Sequence, residues 1–204
     1  MKIVFTGLEN ERYRPELGKT NEHNNFYLLL KSNPKNEVIY IPFDRILEVG
    51  KKGYNEELVE AVRREKPDLF CAFMYTDEIE KETLDEIKKL TTSVAWFSDD
   101  HWRLDNYSRF FAPHFTKVIT TWSGAKEKYE NYGIGNVIRS QWGFNSGVYR
   151  SVVVPGQDID ASFIGMRTPH REKIINNLRS AGIDVFVRGF GWDEGRVSFD
   201  EMLE

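Results

Sequence analysis

The sequence predicts an α/β fold: a doubly wound, mainly parallel Rossmann-like sheet followed by a partial second unit of the same kind. Three observations predict it. Short apolar runs alternate with amphipathic helical segments along the first 145 residues or so. One of those runs, Asp68–Tyr75, is apolar almost throughout, as a strand covered on both faces is. The alternation then breaks, and it restarts at Ile159.

Lys2–Thr6 reads as the first strand, ending at Gly7. A polar segment follows, then a helix over Asn25–Lys31 that Asn33-Pro34 stops. Glu37–Pro42 is the second strand. Asn55 is expected to cap the next helix, with Leu58, Val59 and Val62 on one face and Pro67 at its end. Asp68–Tyr75 is the third strand. Asp77 is expected to cap a helix in which Ile79, Leu84, Ile87 and Leu90 recur near helical spacing. Ser93–Ser98, Lys117–Thr121 and Asn136–Ser140 complete the strands. The helix between the last two is expected to start at Ser123 and close at Gly133.

Residues 1–150 therefore read as one domain and 158–204 as the incomplete start of another. Ser146–Asp158, with Pro155-Gly156, reads as a linker or irregular crossover. The second unit opens with the strand DASFIG. A helix follows, with Thr168 as N-cap and Pro169 at its first position, where a missing N–H costs nothing. Ile174, Ile175, Leu178 and Ala181 form its apolar face, Gly182 closes it, and Ile183–Arg188 is the next strand. Ser198–Glu201 has the capping-box pattern that announces a further helix, which the sequence does not continue. The expectation is a partial unit whose apolar faces need cover, from the first domain or from another copy in a homo-oligomer.

Composition narrows the functional classes. The net charge is −4, with acidic and basic residues interspersed, which argues against a general nucleic-acid partner. Cys71 is the single cysteine and sits in the apolar run LFCAFMY; it reads as a small core residue in a reducing cytoplasm. No run approaches the ~18 apolar residues of a membrane span. GLENER stands where a dinucleotide fingerprint would be, and P-loop, HExxH and GxSxG motifs are absent. His23, His101, His114 and His170 lack metal-ligand spacing, so no metal is expected.

The most informative stretch is Trp96–Phe115, WFSDDHWRLDNYSRFFAPHF. Its aromatics avoid water and its carboxylates avoid unpaired burial, so it suits a half-buried cleft wall; a well-packed crossover has the same composition. Trp96 is expected to be buried, with Asp99, Asp100 and His101 at the open rim. In a doubly wound sheet, ligands bind outside the carboxyl ends of the strands. Gly7, Tyr75-Thr76, Asp99-Asp100 and Thr121-Trp122 fall at such ends, and Asn145 just after one. Two sites result. Asp99 and Asp100, beside His101 and Arg103, include at most one general base; a loop cap with an ion pair to Arg103 or Arg109 reads equally well. Gly165–His170, GMRTPH, offers backbone N–H groups at a helix N-terminus with Arg167 and Arg171 beside them. It reads as a diphosphate cradle or as an ordinary capped helix with surface arginines.

The segment WFSDDHWRLDNYSRFFAPHFTKVITTWSGAKEKYENYGIGNVIRSQWGFN resembles the CgeB-like (spore-maturation-type) glycosyltransferases, in which WF-x-DD-x-WR-x-D precedes an APHF-like element and a Q-W-x-x-N ending. The later DASFIGMRTPHREKIINNLRSAGIDVFVRGFGW resembles the start of that family's second domain. The resemblance implies a GT-B fold: two Rossmann-like domains, the first mainly for the acceptor and the second for a nucleotide-sugar donor, with no bound metal or other cofactor. It implies transfer of a hexosyl group, with Asp100 or Asp99 as candidate base if the reaction inverts and His101 beside them. Gly7, Trp102, Arg103 and Asn145 would be on the substrate side, with Gly165, Arg167, Arg171 and Arg188 near the donor phosphates. The family's later acidic, Gly-rich donor motif has no counterpart in these residues, which puts donor binding by this chain alone in doubt. The alternative class is a non-catalytic sugar- or nucleotide-binding module, or a partner subunit, on a GT-B half-fold.

Overall fold

The computed structural model describes residues 1–149, 159–198 and 202. The chain divides into two compact units, Met1–Val148 and Tyr149–Glu204. The expected linker lies for its greater part, and the capping box for all but Ser198, outside the described residues.

The first unit is one sheet of six parallel strands: β1 (Lys2–Thr6), β2 (Glu37–Tyr40), β3 (Leu69–Phe73), β4 (Thr92–Phe97), β5 (Lys117–Thr120) and β6 (Val137–Arg139). Their order is β2-β1-β3-β4-β5-β6. Period-two alternation sorts the side chains onto two faces. Val4, Phe70, Ala72, Ala95, Phe97 and Val118 face one way, against Tyr54, Leu58 and Val62 of α2 (Ile46–Glu65) and Leu84 and Ile87 of α3 (Lys81–Leu90). Ile3, Phe5 and Phe73 face the other way, against Phe26, Tyr27 and Leu30. Those three belong to a π-helical turn, His23–Tyr27, and α1 (Leu28–Ser32), which ends before Asn33 as expected.

Three capping expectations are corrected. Asn55 does not start α2; it lies inside that helix and is buried. Its side chain bridges two elements instead. Nδ2 donates to the carbonyls of Lys51 (2.8 Å) and Glu78 (3.0 Å), and Oδ1 accepts from the N–H of Glu80 (2.8 Å), the N-cap residue of α3. Asp77 is therefore not the cap of α3; it pairs with Lys51 at 2.8 Å. Gly124, not Ser123, occupies the N-cap position of α6 (Ala125–Asn131), and no side chain caps it. Gly133 closes α6 with a positive φ of 74°, as expected.

The Trp96–Phe115 run is not loop. After β4 it winds through α4 (Asp100–Arg103), a π-helical turn (Leu104–Ser108), α5 (Arg109–Phe111) and a 3-10 turn (Ala112–His114). Beyond β6 the chain returns to the first helical segment. The N–H of Asn145 donates to Asn25 Oδ1 (2.7 Å), and Asn145 Nδ2 donates to the carbonyl of Asn24 (2.9 Å). This strap sets Trp142 against Phe26, Phe73 and Trp96, with ring centroids 6.0–6.3 Å away.

In the second unit, β7 (Ala161–Ile164) and β8 (Val185–Arg188) pair in parallel. The helix α7 (Pro169–Ser180) begins as expected: the Thr168 side chain accepts from the N–H of Arg171, and Pro169 stands at its first position. Ile175, Val185, Val187 and Trp192 form a small core. Trp192 Nε1 donates to the carbonyl of Gly165 (2.8 Å). Gly189 has φ 136°, and a Cβ there would fall on that carbonyl, so only glycine fits this approach.

Two stability outcomes follow. Asn55→Ala strips three buried hydrogen bonds and should cost roughly 2–4 kcal/mol in denaturant unfolding of the first unit. Gly189→Ala should destabilise the second unit while leaving the first intact, a selective loss that hydrogen exchange by residue would resolve.

Candidate functional site

The strand order fixes where a site can be. The connection β1→β2 runs one way from β1 and the later connections run the other way, so the chains diverge outside the carboxyl ends of β1 and β3. A cavity of about 580 Å³ opens there. Its wall is built by three segments. Phe73, Met74, Tyr75 and Thr76 leave β3; Ser98, Asp99, Trp102, Arg103, Asn106 and Tyr107 follow β4; Glu22 comes from the helical turn after β1.

Part of the wall is held by hydrogen bonds from behind and within it. Glu78 is buried and accepts from the Tyr13 hydroxyl (2.7 Å), the Thr76 N–H (2.7 Å) and the Thr76 hydroxyl (2.5 Å). This pins the turn after β3. Arg103 donates to the carbonyl of Tyr75 (2.6 Å) and lies over the Tyr107 ring at 3.9 Å, while the Tyr107 hydroxyl donates to the carbonyl of Thr76. Trp102 is 60% exposed, an open aromatic face beside Asp99. Arg12 and Tyr13, in the loop that carries the Glu78 contact, both adopt positive φ (55° and 60°), a strained backbone for side chains of their size.

The expected site residues separate under this geometry. Asp99, Trp102 and Arg103 line the cavity together. Asp100 does not; it is 1% exposed and turned inward, with Oδ2 accepting from the Tyr129 hydroxyl (3.0 Å) and Oδ1 buried without a hydrogen-bond partner. Adjacent residues at the start of a helix point different ways, so one of the two acids must turn inward. His101 is exposed on α4 and is not a lining residue. Gly7 lies behind the wall: a Cβ there would sit 3.3 Å from Phe73 Cβ and 3.5 Å from Glu22 Cβ. Asn145 is buried in the strap and holds structure, not the cavity surface. Trp96 is half-buried, and not fully so as expected, in the aromatic cluster under that strap.

In the second unit, Gly165 and Arg167 follow β7, Arg171 is on α7 and Arg188 ends β8. Their groups are engaged locally. Arg167 pairs with Glu172 (2.6 Å), Arg171 donates to the carbonyl of Met166 (2.8 Å), and Arg188 to that of Val187 (2.9 Å). Among the described residues no group of three His, Cys, Asp or Glu side chains could hold a metal ion, and no helix is long and apolar enough to cross a membrane.

Glu22, Asn106 and Tyr107 are lining residues that the sequence did not single out for the site, and Glu22 is the acid among them. The available signal was Thr20, whose hydroxyl accepts from the N–H of His23 (3.2 Å) as a helix N-cap and so places Glu22 in the first turn. Burial is the main cause that raises the Glu22 pKa above its ordinary value, with Glu11 and Asp99 adding to it.

No protein-family model matches the chain, and no curated protein matches it in sequence. Solved structures do match in fold. One is the apo form of the lipopolysaccharide outer core galactosyltransferase WaaB, at 16% identity and TM-score 0.50, over 93% of this chain and 60% of that one. A putative UDP-N-acetylglucosamine 2-epimerase from Listeria monocytogenes matches at 10% identity and TM-score 0.56, over 100% and 71%. The UDP-GlcNAc 2-epimerase of Methanocaldococcus jannaschii matches at 12% identity and TM-score 0.51, over 92% and 65%. The fold is thus the GT-B glycosyltransferase-like, Rossmann-like α/β fold, and the chain spans 60% of the galactosyltransferase's length.

Asp100 gives a pH prediction. Burial is the largest influence on it and raises its pKa, against the lowering effect of Ser108, Thr120, Tyr129 and Arg103. The folded state therefore holds the proton more tightly than the unfolded chain, whose carboxyl titrates near 3.8. Stability contributed by the neutral form is lost as pH rises from that value through the higher folded value. In urea melts across this window, Asp100→Asn should gain on wild type as pH rises and hold a constant difference above it.

Proposed function

We propose that the protein is a glycosyltransferase of GT-B type. It transfers a hexosyl group from a nucleotide-sugar to a hydroxyl acceptor seated in the first unit's cavity. The observation that carries this reading is the composition of that cavity at the sheet's carboxyl edge: an open indole, a carboxylate and a hydrogen-bonded arginine on one wall. An aromatic face packs on the apolar side of a sugar ring, and the polar groups take its hydroxyls. The resemblance of the Trp96–Asn145 segment to the CgeB-like enzymes supports transfer, and the fold of the structural neighbours is compatible with it. Two of the neighbours are named as UDP-N-acetylglucosamine 2-epimerases, which makes uridine diphosphate sugars the first donors to try.

In this reading the donor diphosphate belongs to the second unit, at the start of α7. Gly165 and Arg167 border that helix N-terminus, where backbone N–H groups and the helix dipole favour anions. Arg167, Arg171 and Arg188 would exchange their present local partners for phosphate oxygens. Charge neutralisation by these groups needs no metal. A cytoplasmic location, where nucleotide-sugars are made, completes the proposal.

The test is a uridine diphosphate release assay with UDP-galactose and UDP-N-acetylglucosamine, with the sugar product identified by mass spectrometry and NMR. Transfer to a hydroxyl acceptor or to water supports the reading. Accumulation of a 2-epimer of the sugar would replace it with epimerisation. Trp102→Ala should raise the acceptor KM at least several-fold and leave donor KM unchanged, consistent with the ~1 kcal/mol scale of aromatic stacking.

A further inference from the structure

We propose that Glu22 is the general base of this site, the group that takes the proton from the attacking acceptor hydroxyl, with Asp99 as a second carboxylate beside it in the cavity. The inference rests on the transferase reading and assigns a residue to which that reading gave no role.

Geometry comes first. Glu22 and Asp99 line the same cavity from different elements, the turn after β1 and the end of β4, so a single ligand can meet both. Gly7 lies behind Glu22: a Cβ there would be 3.5 Å from the Glu22 Cβ, in ordinary contact. Trp102, from the same wall, offers the ring on which an acceptor sugar can rest. Asp100, the other acid of the pair at the end of β4, is sealed among Tyr129, Ser108 and Thr120 and cannot reach a ligand there.

The environment of Glu22 adds to the geometric case. A base works best when its pKa approaches the working pH. Glu22 is desolvated and faces the carboxylates of Glu11 from the β1 loop and Asp99 from the β4 end, all of which raise its pKa. Other ionisable groups near it include His23, next in sequence, Arg103 and Tyr107 in the same wall, with Arg103 bonded to the carbonyl of Tyr75, and the phenol of Tyr40. Thr20 and the backbone of Glu22 pull the other way, but burial is the largest influence. Burial and these neighbouring charges favour proton uptake by Glu22, and Asp99, in the same wall, is placed to accept a hydrogen bond from the acceptor.

The step balances. The acceptor oxygen forms a bond to the anomeric carbon of the nucleotide-sugar as the bond from that carbon to the diphosphate oxygen breaks. The bonding electrons leave with the nucleoside diphosphate, and the hydroxyl proton ends on Glu22.

The test uses the full-length protein with UDP-galactose and UDP-N-acetylglucosamine as donors, and water and methyl β-glucoside as hydroxyl acceptors. Glu22→Gln, Glu22→Asp and Asp99→Asn are compared after their melting temperatures are matched to wild type. The expected result is a loss in kcat of about 10²–10⁴-fold for Glu22→Gln with donor KM unchanged, partial recovery in Glu22→Asp, and a smaller loss in Asp99→Asn. The acidic limb of the wild-type pH profile should vanish in Glu22→Gln. If Glu22→Gln keeps the wild-type rate and acidic limb, Glu22 is not the base and the transferase reading survives. If wild type turns over neither donor, that reading itself fails and takes this assignment with it.

Discussion

The reversal of strand order at β1 is the constraint on which the rest of this structure depends. A parallel sheet cannot be closed by hairpins, so each connection must cross over a face and return. Because β2 lies on one side of β1 and β3 on the other, two connections part above the same strand ends. The gap they leave is where Glu22, Tyr75 and Asp99 meet, although they are dispersed along the chain. Their convergence needs no direct bond between them; it follows from pairing β1 with β3 in register, Phe5 against Cys71 and Thr6 against Ala72.

Two π-helical turns border this gap, His23–Tyr27 and Leu104–Ser108. Each widens the helix by one residue per turn and rotates the side chains that follow. In the second, Tyr107 reaches the carbonyl of Thr76 on a neighbouring loop while Ser108 stays buried. Such turns often mark functional sites, and here both lie on segments that contribute to the cavity wall.

The strands were legible because burial on both faces leaves little choice of residue. Lys2–Thr6 was located to the residue, and the other strands to within one or two. The helices were less so where polar residues occupy inward positions. Asn55 on α2 and Asp100 and Ser108 after β4 are all buried, and they interrupt the apolar spacing from which a helix is read. Asn55 looked like a cap because asparagine usually caps; only tertiary structure supplies the carbonyls of Lys51 and Glu78 and the N–H of Glu80 that it serves. For the same reason Asp99 and Asp100 were inseparable by sequence. Their difference is one of direction, settled by Tyr129 lying 29 residues further along the chain. Glu22 stood in a polar segment without period, and its place in the wall depends on contacts with β3 that no local pattern encodes.

The strap at Asn145 has a consequence for how the first unit is made. Its two hydrogen bonds join residues 120 and 121 positions apart, nearly the full span of the unit. Loop closure over such a distance contributes to slow folding. During synthesis the first helical segment emerges early, but the Asn24 carbonyl and Asn25 Oδ1 meet Asn145 only once the loop beyond β6 leaves the ribosome. Phe26 and Trp96 likewise wait for Trp142. The aromatic cluster of Phe26, Phe73 and Trp96 thus acquires its outermost ring last, and the far end of the unit locks its beginning.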